Sequence, residues 1–332
     1  MQTVTLCSGK SFTSTAGTSI LDAGASAHVA LPYSCKTGRC STCKCKVTAG
    51  QTVALHPESG ISEQEKADGW ILSCVRAAVT DITIEVDDLR EMPPVKTLAC
   101  RINSLERLTP DVVKVELRLP PTANFAFIPG QYIDVIGAGG MRRSYSLASA
   151  DNSGHTLELQ IRAVDDGVMS DYWFKRANAN DLLRLSGPFG TFFLRDVAGL
   201  DLIFLATGTG IAPVKAILES LPSLPPDNCP ASVTVVWGGR VLADLYFDVT
   251  ALPGKHPFIP VLSRASPEWT GACGYVQDAL LRHAPDLGKA MVYACGSEAM
   301  IRSAKTALTE AGLSDHRFFA DAFVCSGTDL SN

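Results

Sequence analysis

Four cysteines stand within "PYSCKTGRCSTCKCKV", residues 32–47, close enough in the chain to share one task. Cys35, Cys40 and Cys43 follow the pattern Cys-x4-Cys-x2-Cys, and Cys74 stands well downstream in "GWILSCVRA". Three thiolates from one tight loop and a fourth from a separate segment suit a [2Fe–2S] cluster. Gly38 lets such a loop take a positive φ and come close to the inorganic sulfides. The loop's N–H groups can then bond the sulfurs and offset the cluster's negative charge. Structural zinc ordinarily takes two short Cys or His pairs, and here the second pair is missing. A redox couple of Cys40 and Cys43 leaves Cys35 and Cys74 without a task. Cys45 comes after a full ligand set and reads as a small packed residue.

Two further groups could hold a flat cofactor with a phosphate tail. In "RRSYSLAS" a cation, an aromatic ring and a hydroxyl alternate, so Arg143 and Tyr145 project from one face of a strand and Ser146 from the other. The plain alternative is a half-exposed strand. In "DDGVMSDYWFKRA", Gly167 precedes Met169 and Ser170 at what reads as a helix N-terminus, where anions bind. Later come two glycine loops. "GTGIAP", residues 208–213, follows a buried apolar strand and opens a helix, but Pro213 replaces the last glycine of G-x-G-x-x-G. Gly208 and Gly210 would let a pyrophosphate approach, and proline suits a first helical turn. "YACGSEAM", residues 293–300, is the second loop, at the C-terminal end of another strand, where ligands bind in open α/β sheets. Taken alone, Cys295 in it is a core residue.

The elements that must position these groups change texture along the chain. "MQTVTLCSG" and "KSFTSTAG" alternate like a hairpin, "TSILDAGASAHV" has Thr18 or Ser19 as a helix cap, and "DITIEVDDL" closes as a strand. "REMPPVKT" is a proline-bearing break. Many short strands with turns follow, which predicts a β-barrel. From about residue 198, strands alternate with helices, which predicts a parallel sheet covered on both faces. The expected fold is thus multidomain, α+β then β then α/β. Its parts are an α+β domain at 1–90, a linker at 91–97, a β-barrel at 98–196 and an α/β domain at 197–332.

Residues 1 to about 90 resemble a plant-type ferredoxin domain, which implies a β-grasp fold with Cys35, Cys40, Cys43 and Cys74 as ligands. "PGQYIDV", "RRSYSLAS", "LELQIRAVDDGVMS" and "LSGPFGTFFLRD" resemble the FAD domain of the ferredoxin–NADP reductase superfamily, and the two glycine loops resemble its NAD(P) domain. The likeness covers residues 1 to about 325. It implies that Arg143 holds the FAD pyrophosphate, with Ser144 in the same motif, that Tyr145 packs on the isoalloxazine and that Ser146 reaches its N5. It gives Gly167, Met169 and Ser170 to the phosphate-binding helix start. Gly208, Thr209 and Gly210 fall at the dinucleotide pyrophosphate, and Cys295 with Gly296 near the nicotinamide. An aromatic near the C-terminus, here Phe323, would cover the flavin face, while Phe318 and Phe319 read as core. Ser146, Cys295 and Phe323 are then the residues nearest the chemistry.

This order of domains implies a reaction. NAD(P)H gives up two electrons together, a [2Fe–2S] cluster accepts one at a time, and FAD handles both and belongs between them. The expected protein is an NAD(P)H-dependent iron–sulfur flavoreductase that passes electrons to a partner enzyme. The architecture resembles reductase components of bacterial oxygenases. "LRLPPTA", "GPFGTFF" and "FFADAFV" sit closer to the reductase of CDP-3,6-dideoxyhexose biosynthesis, whose partner is a dehydratase. A reading of another class, an iron–sulfur redox sensor or binding module, does not need two nucleotide loops. Along the chain Arg240 in "WGGRVLADLYF" has no second basic residue, serine or threonine beside it to bind a 2′-phosphate, and Asp244 would repel one if it points inward, so NADH is expected over NADPH.

The whole chain agrees. Its 332 residues are 46% hydrophobic and 19% charged, a globular composition. A net charge of −5 argues against nucleic acid or an anionic membrane as partner. No basic cluster followed by an apolar core opens the sequence, and no apolar run reaches the ~20 residues that span a bilayer. Eleven cysteines, an odd number, read poorly as a disulfide framework. The expectation is a cytoplasmic monomer with a loose polar tail.

Overall fold

In a computed structural model of the chain, residues 1–323 are described, apart from 88, 152–154 and 255. The expected polar tail lies outside the described residues. Contacts divide the chain into two compact units: Met1–Met92 with the chain from Asp321 on, and Pro93–Ala320.

The first unit is built on β1 (Gln2–Leu6), β2 (Ser11–Ser14), β3 (Lys44–Ala49), β4 (Thr52–Ala54), β5 (Trp70–Leu72), β6 (Arg76–Ala78) and β7 (Ile82–Glu85). Five of these form one mixed sheet in the order β2-β1-β7-β3-β5. The central pair β1 and β7 is parallel and the others are antiparallel, as in a β-grasp. Helix α1 (Ile20–Ser26) covers it. Of the two candidate caps it is Ser19 that acts, its Oγ accepting from the Asp22 N–H at 3.0 Å, a device worth about 1 kcal/mol. Ile20, Leu21 and Ala23 pack with Val4, Leu6 and Ile84 in one core. A short helix α2 (Glu63–Ala67) carries a Ser62–Glu65 capping box.

The second unit holds two sheets. Strands β8 (Lys96–Thr109), β9 (Val112–Arg118), β10 (Tyr132–Ile136), β11 (Arg142–Ser146), β12 (Thr156–Arg162) and β13 (Leu182–Phe189) run in the order β11-β10-β13-β8-β9-β12. An antiparallel bridge between Leu147 and Leu159 joins the two ends, so the sheet curls into a barrel. Alternation explains it: on β12, Leu157, Leu159 and Ile161 point into the barrel core. Helix α3 (Val168–Asp171) is one turn long and runs into a π-turn at Tyr172–Arg176.

The remaining strands, β14 (Asp201–Thr207), β15 (Ser232–Gly239), β16 (Phe258–Leu262), β17 (Ala272–Cys273), β18 (Ala290–Ser297) and β19 (Phe318–Phe323), form a sheet in the order β17-β16-β15-β14-β18-β19. The pairs from β17 through β18 are parallel, as strands joined by crossover helices must be. The helices are α4 (Ile211–Ser220), α5 (Val276–Arg282) and α6 (Glu298–Glu310). Seven of the ten residues of α4 are buried, so it is a core helix. Among the described residues no helix is long and apolar enough to cross a membrane.

Candidate functional site

The loop between α1 and β3 carries Cys35, Cys40 and Cys43, the turn between β5 and β6 carries Cys74, and the four meet as free thiols in two pairs. Cys43 Sγ donates to Cys74 Sγ at 3.2 Å. The Cys40 thiol bonds that of Cys35 and pulls its pKa down to about 4, while Cys40 itself is pushed up. In the second pair Cys74 is lowered and Cys43 raised for the same reason. Among the described residues no three His, Cys, Asp or Glu side chains converge on a single ion. Two pairs of sulfurs suit two irons, one pair each. Main-chain donors are aimed at the sulfurs: Thr37 N–H at Cys35 Sγ, 3.4 Å, and Cys35 N–H at Cys40 Sγ, 3.5 Å. Gly38 has φ +73°, and a Cβ there would lie 2.4 Å from the Pro57 carbonyl oxygen. Its freedom is therefore used twice, for the turn and for close packing. Cys45 is packed in the core, and burial pushes its thiol up to about 12.

On the barrel, β10 pairs with β11 so that Val135 faces Arg143 and Tyr132 faces Ser146. Arg143 is exposed. It donates to the Arg142 carbonyl at 2.7 Å and has no acidic partner among the described residues. Ser146 is 8% exposed, and its hydroxyl makes no bond there. These are an unspent cation and an unspent hydroxyl on one strand. Ser144, in contrast, gives its hydroxyl to Asp134 at 2.7 Å. The Tyr145 hydroxyl accepts from Trp173 Nε1 at 2.9 Å, with the rings edge to face, so the Tyr145 ring is held in one orientation. Burial pushes the phenol up to about 12. Gly167 is the uncapped N-cap of α3, Met169 packs in the barrel core, and Ser170 Oγ accepts from the Val164 N–H. What this turn offers a phosphate is its main chain.

In the α/β sheet the two glycine loops touch. A Cβ on Gly210 would stand 2.2 Å from the Cys295 carbonyl oxygen, and one on Gly296 would stand 2.1 Å from Thr207 Oγ1. Gly208 (φ +53°) opens the first loop, and its carbonyl accepts from Trp237 Nε1 at 3.0 Å. No side chain caps the start of α4, and a 3-10 turn at Gly208–Gly210 leads into it, its carbonyls taking the Ile211 N–H. Cys295 is 0% exposed and belongs to the sheet's core. Phe319 stacks on Tyr293 at 5.0 Å and, half-buried, packs against the sheet's core. Phe323 ends β19 with 38% of its surface exposed.

Three domain models match the chain in this order: a 2Fe-2S iron-sulfur cluster binding domain over residues 4–79, an oxidoreductase FAD-binding domain over 99–194 and an oxidoreductase NAD-binding domain over 204–306. The CDP-6-deoxy-L-threo-D-glycero-4-hexulose-3-dehydrase reductase of Yersinia pestis is 40% identical over 325 residues, which cover 96% of this chain and 97% of that protein. The chain belongs to the iron–sulfur flavoprotein reductases. Another relative is the ferredoxin–NAD(P)(+) reductase component of the naphthalene 1,2-dioxygenase/salicylate 5-hydroxylase systems of Ralstonia sp. It is 31% identical over 94% of this chain and 95% of its own. Among solved structures, the Amycolatopsis cytochrome P450 reductase GcoB matches with a TM-score of 0.75 and 29% identity, over 97% of this chain and 99% of that one. This reductase is therefore an NAD(P)H-dependent electron-transfer oxidoreductase with [2Fe–2S], FAD-binding and NAD-binding domains.

Two residues of this reductase escaped the sequence. Asp321 is a buried carboxylate on β19 that accepts from the Ser34 hydroxyl at 2.6 Å, within the first unit and one residue before Cys35. Burial raises its pKa to about 6. The available signal was a lone acid among the apolar residues of "FFADAF". Arg162 lies at the end of β12, and a Cβ on Gly208 would stand 2.8 Å from its Nη1.

Proposed function

We propose that this reductase takes electrons from NADH and delivers them to a dehydrase acting on a CDP-linked 6-deoxy-4-hexulose. The observation that carries the choice of partner is the 40% identity to the Yersinia pestis dehydrase reductase along nearly the full length of both chains, against 31% for the oxygenase component. When bound, FAD accepts hydride from the nicotinamide and releases electrons singly to the cluster. The residues hold and orient these groups. Cys35, Cys40, Cys43 and Cys74 ligate the cluster. Arg143 supplies the charge for the FAD pyrophosphate, Tyr145 a ring face fixed by Trp173, and Ser146 an unspent hydroxyl. Gly167, Met169 and Ser170 give main-chain contacts to the same phosphates. Gly208, Thr209 and Gly210 take the pyrophosphate of the nicotinamide coenzyme, with Cys295 and Gly296 beside them. Phe323 is the aromatic cover.

The test mixes this reductase and NADH with a dehydrase of that class and its CDP-hexulose. The expected result is NADH consumed in step with deoxygenated sugar. Consumption driven instead by the terminal component of an aromatic-ring oxygenase, with none driven by the dehydrase, would reassign the partner.

The coenzyme choice rests on Asp244. Its Oδ2 accepts from the N–H groups of Arg240 and Val241 at 2.6 and 3.3 Å, and its Oδ1 faces Arg162 at 3.6 Å. A carboxylate fixed at the end of β15 favours a ribose hydroxyl over a phosphate. Along the chain Arg240 stands alone, but the sheet adds neighbours. Arg264 donates its N–H to the Arg240 carbonyl at 2.8 Å, and Ser263 donates likewise to Gly239 at 3.0 Å. With ferricyanide as acceptor, kcat/KM is expected to favour NADH. A preference for NADPH of about tenfold, or about 1.4 kcal/mol, would mean that Arg240 and Arg264 read a 2′-phosphate together.

A further inference from the structure

One face of β12 lies in the barrel core. Its other face carries Glu158, Gln160 and Arg162 at every second position, and an isolated barrel would leave them in water. Arg162 pairs with Asp111 of the barrel at 2.7 Å and faces Asp244 at 3.6 Å, while the α/β half takes up Glu158 and Gln160. The Tyr246 hydroxyl donates to Gln160 Oε1 at 2.8 Å, Gln160 Nε2 donates to Glu158 Oε1 at 3.0 Å, and Lys215 of α4 reaches Glu158 Oε2 at 3.1 Å. Lys215 also donates to the Ala148 carbonyl at 2.8 Å. The Tyr246 ring meets Trp237 edge-on at 5.1 Å, and Trp237 Nε1 holds the Gly208 carbonyl. A continuous chain of contacts thus runs from a barrel strand to the first glycine of the dinucleotide loop.

We infer that this polar face of β12 is a positioning device, which fixes the dinucleotide loop against the flavin barrel and so sets the distance over which hydride moves. An apolar contact of the same area tolerates sliding. A hydrogen-bonded ladder in a low-dielectric setting permits one register, since a slip leaves buried partners unmet. Gln160 is 7% exposed, so its amide has no water to fall back on. Hydride transfer is the step most sensitive to such a slip, because its rate depends on near-attack geometry. The inference does not depend on which partner accepts the electrons.

Tyr246→Phe removes the bond to Gln160 and keeps the ring on Trp237. Gln160→Leu removes the same bond from the other side. In the FAD-loaded protein, the limiting rate of flavin reduction by NADH is expected to fall about tenfold in each. FAD content and the Kd for NADH should stay within about twofold of the parent. The primary deuterium isotope effect with [4-2H]NADH should rise, and amide hydrogen exchange over residues 208–214 should quicken. The double variant should be no slower than Gln160→Leu alone, because that substitution already cuts the bond to Tyr246 along with the one to Glu158. Flavin reduction at the parent's rate in both variants, or a loss explained wholly by weaker NADH or FAD binding, would overturn the inference. So would a fall in Tm with rate and exchange unchanged.

Discussion

Cys40→Ser is expected to abolish transfer to one-electron protein acceptors while NADH still reduces ferricyanide. Cys40 is buried and bonded to Cys35. Its loss leaves that pair with one sulfur, and a serine oxygen is a poor ligand for iron that prefers thiolate. The flavin and nicotinamide sheets lie in the other unit, each with its own core. They should fold and bind without the cluster. Cytochrome c reduction should drop by about a hundredfold. Ferricyanide reduction should stay within about twofold, because it can draw electrons from FAD directly. Iron and acid-labile sulfide, measured on the same sample, should be lost. If both activities fell together, electrons would not run from nicotinamide through FAD to the cluster.

Gly210→Ala should damage NADH-dependent flavin reduction through a single methyl group. Gly210 has φ −60° and ψ −13°, a conformation alanine adopts freely. Backbone freedom is therefore no reason for glycine here. Space is: the added Cβ would stand 2.2 Å from the Cys295 oxygen, 2.6 Å from its carbonyl carbon and 2.9 Å from the Gly296 nitrogen. All three are backbone atoms, so the start of α4 must move away from the end of β18. A displacement near 1 Å can cost about a hundredfold in rate, about 2.7 kcal/mol in the barrier. NADH-dependent reduction of the flavin should fall by that order, with FAD content held by the intact barrel. A variant that reduces its flavin at the parent's rate would show that the two loops can part without harm.

How much of this was legible follows from where each contact lies in the chain. The grouping of the four cysteines could be read because three of the four sit in nine residues and the spacing is rare. The three sheets could be read because burial on strands and helices leaves a period in the sequence. Gly210 was marked for the approach of a pyrophosphate; what the sequence did not show is the Cys295 carbonyl packed against it from another strand. Arg240 stood alone in the sequence and gains Arg264 only through the parallel register of β15 and β16. The ladder on β12 was hidden because "LELQIR" alternates like any half-exposed strand, and nothing local says that Tyr246 covers its polar face. Each miss is a contact between segments far apart in the chain, and no periodicity carries that.

The Ser34–Asp321 bond has a consequence for how the protein is made. The unit that holds the cysteine loop is discontinuous: its partners are separated by 287 positions. As the ribosome proceeds from the N-terminus, the first 92 residues emerge long before Asp321 does. Until then the Ser34 hydroxyl, which ends up buried beside the first ligand, has no carboxylate to meet. Domains generally mature as they are synthesised, but this one waits for a segment 287 positions beyond Ser34. A gene fragment cut after Met92 would encode the sheet and every cysteine ligand, and would still leave out the segment that closes over Ser34.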